Sequence, residues 1–152
     1  MAGKTATGGI AIVTILVIDG QGGNIGRALV REIIEKLPDA ELIAIGTNSI
    51  ATSNMLKAGA RSAATGENAV LVACRRADVI AGPIGIVIAD ALLGEVTPAM
   101  ALAVGQSRAA RVLIPVNRCE TLVAGITDEP TASLLQDAMA KIIALAASRT
   151  NP

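Results

Sequence analysis

The sequence predicts an α/β protein built on a doubly wound, mostly parallel sheet of five or six strands. Apolar runs of strand length alternate with segments whose apolar residues recur at helical spacing. The runs are continuously apolar rather than alternating, as strands covered on both faces are. A glycine cluster stands directly between the first run and the first helical segment, where a parallel sheet needs its first tight crossover.

Residues 1–9, with three glycines and two threonines, are expected to form a loose arm ahead of one domain at 10–148, with 149–152 frayed. Residues 10–18, broken only by Thr14, are rich in β-branched side chains and read as a central strand. The run has about half the ~20 residues of a membrane-spanning helix and leads straight into Asp19 and glycines, so neither a span nor a signal peptide is expected. Residues 25–37 place Ile25, Leu29, Ile33 and Leu37 on one helical stripe, stopped by Pro38. A second strand at 41–45 precedes a helix capped by Ser49 or Thr52 and closed by Gly59.

An edge strand at 61–65, a helix at 67–76 and a strand at 78–81 follow. Residues 84–93 read as a helix ending at Gly94. Thr97-Pro98 combines a capping hydroxyl with proline in the first turn, starting a helix that reaches about residue 107. Residues 111–116 form a strand, 122–126 are a candidate last strand, and 131–147 close the chain with Leu134, Leu135, Ala138, Ile142, Leu145 and Ala146 on one helical face.

Composition narrows the chemistry. There are 13 Lys+Arg against 13 Asp+Glu, so no basic field gathers nucleic acid, and none is expected as a partner. With no His, Trp, Tyr or Phe, the chain has no Ser-His-Asp or Cys-His arrangement and no aromatic platform for stacked bases. Apolar residues make up 52% and charged ones 17%, against roughly 25% charged in typical soluble domains. Mean hydropathy is +0.58. This excess is accounted for either by burial between subunits of a homo-oligomer or by a sheet covered on both faces. Two cysteines, Cys74 and Cys119, form neither a disulfide framework nor a Cys-x-x-Cys pair, and a reducing cytoplasmic setting is expected.

The polar chemistry collects at Asp19-Gly20-Gln21-Gly22-Gly23-Asn24-Ile25-Gly26-Arg27. Glycines at a strand-to-helix turn let backbone N–H groups approach a phosphate, and the helix N-terminus adds partial positive charge. The turn is therefore expected to bind a nucleotide, a dinucleotide or another phosphorylated small molecule; the same glycines also serve a turn that merely packs helix on strand. The acidic residue that usually ends the second strand and holds ribose is replaced by Thr47 and Asn48, which carry no charge to select a cofactor.

Ligands of doubly wound sheets bind at the carboxyl ends of the strands. That edge should also carry Gly82, Pro83, Asn117 and Arg118, with Arg118 as an anion clamp. An enzymatic reading would draw on Asp19, Glu67, Asp90 or Lys57 for proton transfer, or on Cys119 as nucleophile. Asp90 is expected on the exposed stripe of its helix, and Cys74 and Cys119 as buried thiols. A third reading is a self-assembling protein whose glycine turn is only architectural.

The segments Val17-Ile18-Asp19-Gly20-Gln21-Gly22-Gly23, Gly46-Thr47-Asn48, Met55-Leu56-Lys57-Ala58-Gly59-Ala60, Ala64-Thr65-Gly66-Glu67-Asn68-Ala69, Gly82-Pro83-Ile84-Gly85 and Leu113-Ile114-Pro115-Val116-Asn117-Arg118-Cys119 closely resemble an uncharacterised family of short bacterial proteins, a domain of unknown function. The resemblance covers residues 12–126 and implies a Rossmann-like fold without implying a reaction. The G-x-x-G-x-x-G spacing of Gly20, Gly23 and Gly26 is also similar to short-chain dehydrogenase-like domains. Those act through a Tyr-x-x-x-Lys pair, which a chain without tyrosine cannot supply.

Overall fold

The computed structural model describes residues 11–116 and 120–150. Strands β1 (Thr14–Asp19), β2 (Glu41–Gly46), β3 (Ser62–Thr65), β4 (Val79–Pro83) and β5 (Ala110–Ile114) form one sheet in the order β3-β2-β1-β4-β5. Every pairing is parallel. The helices are α1 (Asn24–Lys36), α2 (Ser49–Lys57), α3 (Glu67–Cys74), α4 (Pro98–Gln106) and α5 (Thr131–Thr150).

β1 is central and buried along its whole length. Its side chains alternate between two apolar layers, which explains why the run looked uniformly apolar. Ile15 and Val17 pack with Leu29, Val30 and Ile33 of α1, Met55 of α2, and Met139 and Ile142 of α5. Leu16 and Ile18 pack with Val70 and Cys74 of α3 and Met100 and Val104 of α4. The two-sided sheet thus absorbs much of the high hydropathy. No helix among the described residues is long and apolar enough to cross a membrane.

Three expectations are corrected. Residues 84–93 do not form a helix: a short 3₁₀ turn at Ile84–Val87 gives way to a loop in which Asp90, Leu92, Leu93 and Gly94 all have positive φ. Asp90 therefore lies on an exposed turn, with its N–H donated to Val96 O at 2.8 Å. Residues 122–126 form no strand; Ile126 N–H closes a turn onto Val123 O at 3.1 Å, and β5 stays at the sheet edge. The cap of α2 is Asn48, whose side chain accepts from Ala51 N–H at 2.9 Å. Thr52 is instead engaged with Asn48 O and the Thr65 hydroxyl. The Thr97-Pro98 start is as expected, with Thr97 Oγ1 accepting from Met100 N–H at 3.1 Å.

Leu29 is fully buried between α1 and the sheet. Leu29→Ala is expected to cost about 2–5 kcal/mol, read as a lowered urea midpoint with unchanged slope.

Candidate functional site

From β1 the chain steps outward through β2 to β3, then returns to the other side of β1 for β4 and β5. The carboxyl end of β1 is therefore the switch point at which doubly wound sheets open a crevice. Asp19, the glycine turn, Thr47-Asn48 after β2, and Gly82-Pro83 at the end of β4 all lie along this edge.

Gly23 N–H bonds Gly20 O at 2.9 Å to close the turn. Gly23 itself has φ +71°, and a Cβ there would sit 2.7 Å from Ala51 Cα in α2. A Cβ at Gly26 would meet Met55 Sδ at 2.6 Å, and one at Gly20 would meet Thr47 Oγ1 at 2.5 Å. Close packing of helix, strand and loop thus requires all three. Gly22 differs: it is exposed, and its Cβ position meets only Asn24 Nδ2 at 3.7 Å. The carbonyl of Gly22 is held by Asn54 Nδ2 at 2.6 Å, while the N–H groups of Gly22 and Asn24 make no hydrogen bond among the described residues. Ile25, half-buried, anchors the first turn of α1 against the apolar layer.

Asp19 is only 4% exposed. Its Oδ1 accepts from Gly20 N–H at 2.8 Å, and its Oδ2 accepts from Gly26 N–H at 2.6 Å. Part of the helix N-terminus that could meet a ligand's phosphate therefore already faces the chain's own carboxylate. Burial pushes the Asp19 carboxyl above its ordinary 3.8; the Gly26 and Gly20 amides oppose this, and the nearby Glu95 charge adds to it.

Glu95 reaches the same place from the loop between β4 and α4. Its Oε1 accepts from Asn48 Nδ2 at 2.5 Å, Thr47 Oγ1 at 2.9 Å and Gln21 N–H at 2.9 Å. Asn48 Nδ2 also donates to Gln21 O at 3.0 Å. Burial raises the Glu95 carboxyl, but the donors from Asn48, Gln21 and Thr47 outweigh it and hold the group below its ordinary 4.5. Sequence reading sought an acid at the end of β2 and missed this one. The available signal was a carboxylate in the loop after β4, just ahead of the Thr97-Pro98 helix start.

Of the other candidates, Lys57 ends α2 and so lies toward the opposite edge of the sheet. Glu67 begins α3 beyond edge strand β3 and is exposed. Asp90 makes no contact with the turn among the described hydrogen bonds. Gly82 allows β4 to pass the end of β1, since a Cβ would sit 2.2 Å from Ile18 O. Cys74 is buried and its thiol is pushed up to about 11 by desolvation, which makes it unreactive at neutral pH. Asn117, Arg118 and Cys119 lie outside the described residues. A groove of about 840 Å³ between β5 and α5, lined by Ile114, Leu134, Ala138 and Leu145, is mainly apolar and gathers none of the expected site residues described here.

A parallel five-stranded sheet with a glycine turn at its switch point defines a Rossmann-like α/β protein. The chain belongs to the family described as Domain of unknown function (DUF3842), matched over residues 14–147. No curated protein matches it in sequence. Among solved structures it is similar to a nucleoside-diphosphate-sugar epimerase from Pseudomonas aeruginosa, at 15% identity and a TM-score of 0.48, covering 87% of this chain and 47% of the epimerase. It thus spans about half that enzyme's length. A dodecameric FMN-dependent Ubix-like decarboxylase from Escherichia coli O157:H7 is similar at 16% identity and a TM-score of 0.42, covering 88% of this chain and 76% of the decarboxylase.

The two carboxylates give opposite pH signatures. Asp19, raised in the folded state, contributes stability that is fully present below 3.8 and is lost as pH rises through its folded value. Glu95, depressed, contributes stability present above 4.5 and lost as pH falls through its folded value. In urea unfolding, wild type should gain on Asp19→Asn as pH falls from neutrality, whereas its advantage over Glu95→Gln should shrink. Asp19→Ala strands two amides and should cost about 1–3 kcal/mol at neutral pH.

Proposed function

We propose that the protein binds a nucleotide or another phosphorylated small molecule along the carboxyl edge of its sheet. The observation that carries this reading is the exposed Gly22–Asn24 stretch at the start of α1, where two N–H groups point to no acceptor within the described chain. The phosphate is received there by the N–H groups of Gly22 and Asn24, with Gly23 closing the turn between them, beside the exposed Arg27 in the first turn of α1. Gly20, Ile25 and Gly26 shape the turn, while Gln21, Thr47 and Asn48 face the sugar side. Gly82 and Pro83 form the wall across the switch point, and Asn117 and Arg118, outside the described residues, are assigned to the site from the sequence alone. No reaction is assigned to the ligand.

Homo-oligomeric assembly is a compatible second reading, supported by helix α4. It carries no charged residue and leaves Leu102 57% exposed. Light scattering tests it: a monomer at micromolar concentration counts against assembly, and an oligomer dispersed by Leu102→Lys supports it.

Ligand binding is tested by thermal shift with nucleoside mono- and diphosphates. At ligand concentrations about 100-fold above Kd, a rise of roughly 5–10 °C is expected. Gly22→Glu should abolish the shift while folding normally, because its Cβ position is open. Gly23→Val should fail to fold, since it clashes with Ala51 and forces a β-branched residue to positive φ. Binding is refuted by the absence of any shift with these ligands, or by Gly22→Glu responding like wild type.

A further inference from the structure

The segment that delivers Glu95 is itself well built. Val96 N–H bonds Ala91 O at 3.1 Å, Glu95 N–H bonds Leu92 O at 3.2 Å, and Gly94 N–H bonds Asp90 O at 3.1 Å. Ala91, Leu92 and Val96 are buried in the layer beneath α4. Leu92 also packs against the glycine turn, with its Cδ1 2.7 Å from where a Gly20 Cβ would be. The carboxylate is therefore positioned by folded backbone on one side and by Thr47, Asn48 and Gln21 on the other.

All three donors fall on one oxygen, Oε1. Oε2 makes no hydrogen bond among the described residues, and the side chain is half-buried rather than enclosed. A negative acceptor atom is thus left open at the carboxyl end of β2. Open acceptors of this kind match hydroxyl donors, because a charged acceptor strengthens each O–H bond it receives. They repel a second anion placed against them.

Resting on the binding reading above, we infer that Glu95 is the specificity-determining residue of the site. Its Oε2 accepts from the vicinal hydroxyls of the ligand's sugar, so the site takes a nucleotide with an unmodified ribose and turns away one phosphorylated on that sugar. Gly22–Asn24 and Glu95 then divide the work: phosphate at the helix start, sugar hydroxyls at the end of β2. Thr47 and Asn48 are positioning residues, since they hold Oε1 and leave Oε2 for the ligand.

The test uses the full chain, titrated with the diphosphates of adenosine, guanosine, uridine and cytidine. The tightest of the four is then compared with its 2′-deoxy and 2′-phosphorylated counterparts. Wild type should prefer the ribose form over each counterpart by about tenfold, the effect of losing one charged hydrogen bond. Glu95→Gln keeps the side chain's size and should bind the ribose form about tenfold more weakly, while losing most of the discrimination against the 2′-phosphate. Equal wild-type affinity for ribose and 2′-deoxyribose forms overturns the assignment. So does a Glu95→Gln variant that binds every nucleotide more tightly, which would make Glu95 a competitor for the ligand's place. If that variant fails to fold, the wild-type ratios alone decide. Absence of binding by all four diphosphates overturns the binding reading along with this one. Binding that Gly22→Glu abolishes but that ignores the sugar overturns only the role of Glu95.

Discussion

The carboxylate of Asp19, buried at the end of the central strand, is the interaction on which the candidate site depends. It joins three things that must be held together: the last residue of β1, the first glycine of the turn and the first turn of α1. A buried carboxylate is costly unless its oxygens are satisfied, and here each oxygen meets a backbone amide. Because those amides sit in the turn itself, the carboxylate sets the angle at which α1 leaves the sheet. The neighbouring glycines then follow from crowding, for Gly26 lies against both Asp19 and Met55.

This arrangement also changes the electrostatics of the turn. A bare helix N-terminus favours anions, but part of this one is already neutralised from within, and Glu95 stands a few residues along the same edge. The positive character that remains is concentrated at Gly22–Asn24, the outermost part of the loop. The site is therefore divided, with a donor-rich rim and an acceptor-rich interior. That division is what underlies the proposal of a ligand with separate anionic and hydroxylated ends.

Much of this was legible in the sequence for local reasons. Continuous apolar runs located β1, β2, β4 and β5, the short polar-edged segment at 61–65 reads as an edge strand and is β3, and the stripe of Leu29 and Ile33 located α1. Thr97-Pro98 marked its helix because capping is decided within one turn. Residues 84–93 misled because, after Gly85, their run of Ile, Val, Ala and Leu has no strong breaker before Gly94. Whether such a run coils or folds back is set by what Ala91 and Leu92 can bury against, which is tertiary information. Glu95 was illegible for the same reason: its partners Gln21 and Asn48 are 74 and 47 residues away in the chain. Asn48 reads as a ligand contact in the sequence, and the structure makes it the cap of α2.

The loop that carries Glu95 holds Leu92 and Leu93 in left-handed backbone, and Leu93 is 97% exposed. Left-handed geometry costs an ordinary L-residue roughly 1–2 kcal/mol, and a leucine in water recovers none of it by burial. Glycine at position 93 would relieve that tension and make the whole protein harder to melt. It would also slacken the backbone two residues ahead of Glu95. Robustness and the selectivity proposed for Glu95 are thus set against each other in a single loop, since a more heat-resistant form would be obtained by loosening the segment that holds that carboxylate.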